Sequence, residues 1–96
     1  MKKKPLITNS SGNVFIDLGF DPAEAQVLIM RSELMLDLKK YIAASKLTQA
    51  EMARKLGVAQ SRVSDLVRGK FEKFSLDMLV TMEARLGRTV KLKLAA

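Results

Sequence analysis

Residues 60–68 carry amide, hydroxyl and guanidinium side chains at the spacing of one helix face. If the segment is helical with its valines and leucine packed inward, the outward residues are Gln60, Ser61, Arg62, Ser64, Asp65 and Arg68. Side chains of these types read base edges, and an α-helix fits the major groove of B-DNA. The chemistry expected of this face is recognition of double-stranded DNA.

The composition gives little support to catalysis or metal binding. The 96 residues include no cysteine and no histidine, which leaves no disulfide, no thiolate or imidazole ligand and no imidazole general base. Six methionines and four phenylalanines fall at helical spacing and are interpreted as core. They also offer no stacking platform for unpaired RNA bases. We therefore expect neither an enzyme nor a protein with a cofactor or metal.

Charge is distributed unevenly along the chain. The net charge is +7, but residues 5–38 carry −4 and residues 39–73 carry +6. A basic segment inside a folded domain is typical of a polyanion partner. A solvated basic face without a partner is the alternative.

A short helix is predicted immediately before the basic recognition segment. Thr48 and Glu51 form a capping-box pattern, and the helix runs to Leu56. Gly57 stands where a left-handed residue ends a helix. Val58 and Ala59 then complete a short turn, a connection typical of two steeply crossing helices.

The second helix of this pair is predicted from Gln60 to about Arg68, and Gly69 ends it. Its inward residues are expected to be Val63, Leu66 and Val67. Ala59 is a poor N-cap, so the start of this helix is expected to fray slightly.

Two further helices are predicted to flank this pair. One runs from Pro22 to about Ser45. Asp21 can cap this helix, Pro22 suits its first position, and Glu24 is placed to complete a capping box. The other runs from Leu76 to Leu86 with Ser75 as its cap.

The ends of the chain show different patterns. Residues 1–13 are basic and polar and are interpreted as a flexible tail, and residues 14–96 as one domain. Residues 14–18 are apolar and β-branched, which predicts an extended segment or strand. Residues 89–94 alternate apolar and basic side chains, which predicts a half-buried edge strand. Its lysines, Lys91 and Lys93, are interpreted as protection against aggregation.

The long helix carries two apolar rows. The first row consists of Val27, Met30, Leu34, Leu38, Tyr41 and Ile42, and the second of Leu28, Met35 and Ile42. Together they are wide for a surface helix. They indicate either a deeply buried central helix or an interface with a second copy or a partner.

The segments Leu47-Thr48-Gln49-Ala50-Glu51 and Gly57-Val58-Ala59-Gln60-Ser61-Arg62-Val63-Ser64, with Arg68-Gly69-Lys70, resemble the Xre/Cro phage-repressor-type helix-turn-helix regulators. The flanks at residues 14–20 and 74–90 are similar to small Xre proteins often found as HigA-type antitoxins. The resemblance implies a mainly α, repressor-like bundle of four helices, here with a short C-terminal β-strand where the family usually has a fifth helix.

The resemblance also implies a role for each site residue. The base-reading residues would be Gln60, Ser61, Ser64 and Asp65. The phosphate-binding residues would be Thr48, Gln49, Arg62, Arg68, Lys70 and Lys73. An acid at position 65 departs from the neutral or basic residues that are commoner in this family. It either accepts a hydrogen bond from a cytosine amine or pairs with a neighbouring arginine.

The function implied is a sequence-specific transcriptional repressor in the cytoplasm, associated with the nucleoid and not with a membrane. One recognition helix buries too little surface for tight binding, so we expect a homodimer on a pseudo-palindromic operator with half-sites about 34–36 Å apart. The antitoxin resemblance implies a RelE-like toxin as a protein partner and autoregulation of the operon. The alternative is a stand-alone phage- or plasmid-type repressor.

Overall fold

The computed structural model describes Phe15 and residues 17–95, and most of this part of the chain is α-helical. The helices are α1 (Pro22–Ser45), α2 (Gln49–Leu56), α3 (Gln60–Val67) and α4 (Leu76–Arg85), and a 3-10 turn (Phe71–Lys73) precedes α4. The prediction of a small, mainly helical bundle is confirmed. Within the described residues no helix is both long enough and apolar enough to cross a bilayer.

Local hydrogen bonds explain where the helices begin. Asp21 accepts from the N–H of Ala23 at 2.8 Å, and Glu24 accepts from the N–H of Asp21 at 3.3 Å. Thr48 and Glu51 make the same reciprocal pair before α2, at 3.1 and 2.9 Å. These contacts satisfy donors that the first turn of a helix leaves free, so the predicted capping boxes are confirmed.

The core forms where α1 packs against α3, the 3-10 turn and α4, while α2 packs against α3 and α4. Its buried residues are Met35, Leu38, Ile42, Met52, Ala53, Leu56, Val63, Leu66, Phe74, Leu79 and Met82. Both apolar rows of α1 contribute to it, since Leu38 of the first row and Met35 of the second are buried together. The structure thus favours the buried central helix over an interface made by the second row.

The prediction that Val67 and Val27 face the core is wrong. Val67 is 38% exposed and Val27 is 44% exposed. Val67 is the last residue of α3, and Val27 lies in the second turn of α1. A helix near its end extends past the elements that cover its middle, so helical spacing alone overestimates the buried face there.

The predicted strand at residues 89–94 is also wrong. In the described part of the chain these residues are irregular, and no strand is present. A strand requires a hydrogen-bonded neighbour, and the described residues provide none. The alternating pattern of Thr89-Val90-Lys91-Leu92-Lys93-Leu94 is therefore present without the pairing it normally accompanies.

The other predicted extended segment, residues 14–18, also differs from its expectation. Phe15 and Asp17, which are described, are helical, and the N–H groups of Leu18 and Phe20 both donate to the carbonyl of Phe15, at 3.2 and 3.0 Å. These bonds close a turn instead of an extended segment. The predicted tail at residues 1–13 lies outside the described residues.

Arg88 joins α1 to α4 at the point where the chain leaves the bundle. Its guanidinium pairs with Asp37 of α1 and, at 3.1 Å, with Glu83 of α4, and it lies 5.3 Å from the ring of Tyr41. Glu83 is only 2% exposed. Burial and then the neighbouring carboxylate of Asp37 raise the pKa of Glu83 to about 7, although Arg88 acts in the opposite direction.

Candidate nucleic-acid interface

The turn between α2 and α3 depends on a glycine. Gly57 has φ +72°, a left-handed conformation that side chains with a Cβ rarely adopt. Its N–H donates to the carbonyl of Arg54 at 3.3 Å, and the N–H of Val58 donates to Ala53 at 3.0 Å. A Cβ at position 57 would lie 2.7 Å from Nη1 of Arg85, so the turn also provides room for that guanidinium.

The start of α3 presents the residues expected to read bases. Gln60 and Ser61 are exposed, whereas Ser64 and Asp65 are half-buried. Ala59 precedes the helix without a side-chain cap hydrogen bond, as its residue type predicts. The buried Val63 and Leu66 fix which face of α3 turns outward. The amide and the hydroxyl are therefore free to meet an external partner.

The helix α2 packs directly on α3. Gln49 is exposed, and Thr48 is exposed but engaged in the capping box. The Thr48 backbone N–H and side chain, in that order, lower the pKa of Glu51 and keep this capping carboxylate ionised. The Thr48 hydroxyl accepts from Glu51, so its own hydrogen is still available to an external acceptor.

The side chain of Arg62 makes its contacts within the protein. Its guanidinium lies 3.6 Å from Asp65, donates to the carbonyl of Lys73 at 3.4 Å and lies 5.8 Å from the ring of Phe74. These contacts tie α3 to the segment that follows it. They also provide Asp65 with the arginine partner that the sequence offered as one of its two interpretations.

Arg31 is a positioning residue to which the sequence analysis assigned no role. It lies on α1, where its Nη2 donates to the carbonyl of Phe71 at 2.8 Å and its guanidinium lies 4.3 Å from the Phe71 ring. Arg31 is the only basic residue among residues 5–38, and that isolation is the one signal of a specific role. It holds the 3-10 turn against α1.

The segment between α3 and α4 carries three further cations. Lys70 is half-buried and immediately precedes the turn, and its N–H donates to the carbonyl of Asp65 at 2.9 Å. Lys73 is exposed at the end of the turn, and Arg68 is exposed just after α3. Arg68, Lys70 and Lys73 thus lie within one short segment that directly follows α3.

The geometry is thus two short helices joined by a left-handed glycine, with a polar second helix and a basic segment after it. The model of a family described as a helix-turn-helix domain matches residues 14–95. The chain belongs to this helix-turn-helix family. No curated protein matches the chain. In the helix-turn-helix domain, α3 occupies the position of the recognition helix, and α2 is the helix that crosses before it.

Proposed function

We propose that this protein is a sequence-specific, DNA-binding transcriptional repressor that acts as a dimer in the cytoplasm. The observation that carries the proposal is that Gln60 and Ser61, at the start of α3, are exposed to solvent. In a helix-turn-helix domain, this is the helix that enters the major groove. Ser64 adds a hydroxyl to the base-reading set one turn further along, and Asp65 beside it pairs with Arg62. The proposed function requires no cofactor and no catalytic step.

Phosphate contacts in this proposal come from both sides of α3. Thr48 and Gln49 lie at the start of α2, and Arg68, Lys70 and Lys73 lie after α3. Such contacts position a protein on the duplex, whereas contacts in the groove specify sequence. Arg62 contributes charge to this face while its internal contacts orient the basic segment.

Selection of bound duplexes from a random pool tests the proposal directly. We expect enrichment of a pseudo-palindrome whose half-sites lie about one helical turn, or 34–36 Å, apart. Retention of the pool without any enriched sequence would overturn the assignment of sequence-specific binding.

Replacement of Gln60 by alanine is expected to weaken binding to the selected operator by about 1–3 kcal/mol and to relax preference at one base position. The physical reason is the loss of an amide that can pair with both polar groups of an adenine edge. Fluorescence anisotropy with operator and scrambled duplexes measures both effects. Gln26→Ala removes an exposed glutamine from α1 and serves as the matched control. Equal losses on the two duplexes would exclude base reading by Gln60.

Replacement of Lys70 by alanine is expected to weaken binding to all duplexes alike. It should also lower the slope of log K against log salt concentration by about one unit, because one phosphate contact fewer releases about one counterion fewer. Lys39→Ala removes the same charge from an exposed position on α1 and should leave the slope unchanged. An unaltered slope for the Lys70 variant would remove this residue from the phosphate contacts.

An antitoxin role is a second candidate, supported by the residues just before α1 and in its first turn. Asp17, Asp21 and Glu24 are exposed there, beside Leu18 at 70% and Phe20 at 40% exposure. Acidic and apolar groups together suit a small basic protein such as a RelE-like toxin, with promoter binding as autoregulation. Expression of the adjacent reading frame with and without this chain tests the proposal. Growth arrest that this chain rescues would support it, and the absence of arrest or rescue would favour a stand-alone phage- or plasmid-type repressor.

A further inference from the structure

Lys46, directly after α1, has a backbone conformation that is costly for a residue with a side chain. Its φ is +61° and its ψ is +18°, and it is the only residue other than glycine with a positive φ in the part of the chain that the structure describes. A Cβ is crowded in this left-handed region, and glycine is the usual residue where a helix ends in it. The other described residues with a positive φ are Gly19, Gly57, Gly69 and Gly87.

The neighbouring residues hold Lys46 in this conformation. The hydroxyl of Ser45 donates to the carbonyl of Ile42 at 2.8 Å and accepts from the N–H of Leu47 at 3.1 Å. The first bond ties this hydroxyl to the end of α1, and the second bridges Lys46. Thr48 follows as the cap of α2, so only three residues connect the two helices. A strained residue persists where its surroundings determine its conformation in this way.

The contacts of the described chain do not explain why the side chain at this position is a lysine. Lys46 is exposed, and it forms no ion pair with another described residue. Its charge can interact with the dipole of α1, but this effect is small for an exposed residue and is screened by salt. Backbone strain that no internal contact offsets indicates a functional role.

The position of Lys46 in the fold indicates which role this is. Lys46 lies two residues before Thr48, and two residues of chain span at most about 7 Å. A lysine ammonium is a common phosphate ligand on a flexible stem. The nearest acidic residue along the chain, Glu51, is engaged with Thr48 in the capping box. The ammonium of Lys46 is therefore available beside the proposed phosphate contacts at the start of α2.

We infer that Lys46 binds a DNA phosphate next to the phosphate contacts of Thr48 and Gln49, and that this contact is made at a cost in folding stability. The inference rests on the proposed function. Thr48 and Gln49 carry no charge, whereas the proposed arginine and lysine ligands all lie in or after α3. Lys46 thus supplies a cation on the α2 side of the recognition helix.

Three substitutions separate the charge of Lys46 from its conformation. Lys46→Gln removes the charge but keeps a side chain in the left-handed region, Lys46→Gly removes both, and Lys46→Arg keeps both. The slope of log K against log salt concentration should fall by about one unit in the Gln and Gly variants and should not change in the Arg variant. Fluorescence anisotropy measures this slope, and operator and scrambled duplexes should be affected alike because a phosphate carries no sequence information.

Urea denaturation of the same variants measures the cost in stability. Lys46→Gly is expected to raise the denaturation midpoint, because glycine adopts a positive φ without strain. Lys46→Gln and Lys46→Arg keep the strain and should leave the midpoint nearly unchanged. The Gly variant should therefore be more stable than the unaltered chain and yet bind DNA more weakly. A purely structural role for Lys46 does not produce this combination.

An unchanged salt slope in the Gln variant, or a loss of affinity confined to the operator, would overturn the inference. A slope that falls only in the Gly variant would assign the effect to backbone conformation, and would overturn it as well. A lower midpoint for the Gly variant would show that the lysine stabilises the fold and would refute the cost in stability. Failure of the unaltered chain to bind any duplex would refute the proposed function itself, whereas binding with unaltered slopes in all three variants would refute only the contact of Lys46.

Discussion

Alanine in place of Leu66 is expected to lower the free energy of unfolding by about 2–5 kcal/mol. Leu66 is fully buried on α3 and belongs to the core cluster that includes Leu38, Leu56 and Met82. Truncation removes apolar contacts and leaves a cavity that close-packed neighbours fill only partly. Since a small domain has about 5–15 kcal/mol of stability in total, the loss should be a large fraction of it.

Urea denaturation followed by circular dichroism measures this loss. The adjacent Val67 provides the control, because it lies on the same helix but is 38% exposed. Val67→Ala should change the stability by less than about 1 kcal/mol. Similar losses for the two variants would contradict the difference in burial between Leu66 and Val67.

Replacement of Glu83 by glutamine is expected to abolish a decrease in stability that the unaltered chain shows between about pH 4.5 and 7. The folded state raises the pKa of this carboxyl from 4.5 to about 7, so in that range it binds more protons than the unfolded state. The contribution of Glu83 to stability is therefore greatest at low pH and falls as the pH rises through this window, by up to about 3 kcal/mol. Above the window the buried carboxylate is charged, and the loss is complete.

Denaturation at a series of pH values tests this prediction. The stability of the Glu83→Gln variant relative to the unaltered chain should rise steadily with pH, because the substituted amide carries no charge and Arg88 retains Asp37 as a partner. Asp77→Asn removes an exposed acid of α4 whose pKa is lowered, chiefly by the Ser75 side chain, and should not alter the profile above pH 5. If the stability of the Glu83→Gln variant changed with pH in parallel with that of the unaltered chain, the titration could not be assigned to Glu83.

The helix-turn-helix unit was predictable because its signals are local. The caps at Asp21, Thr48 and Ser75 and the left-handed Gly57 each act on backbone groups within a few residues. Helical spacing likewise identified most of the core, including Leu56 and the α3 residues Val63 and Leu66. The outward face of α3 follows directly from that inward face.

The sequence also indicated the types of residue in the interface, but not their internal contacts. Arg62 was predicted as a phosphate ligand, and the structure adds its hydrogen bond to the carbonyl of Lys73, 11 residues away. Arg31 had no predicted role, and its partner Phe71 is 40 residues away. A long guanidinium side chain can reach many carbonyls, and only the packing of α1 against the 3-10 turn selects one.

Helix boundaries, the glycine turn and the polar face of α3 thus follow from the amino-acid sequence, because each depends on neighbours within about one helical turn. The burial of both α1 rows, the exposure of Val67 and the pairing of Arg88 with Asp37, 51 residues away, depend on how helices distant in sequence pack together. Residues 89–94 show the same limit most clearly. Its alternating pattern is that of a strand, but a strand forms only where packing brings a second hydrogen-bonding edge beside it.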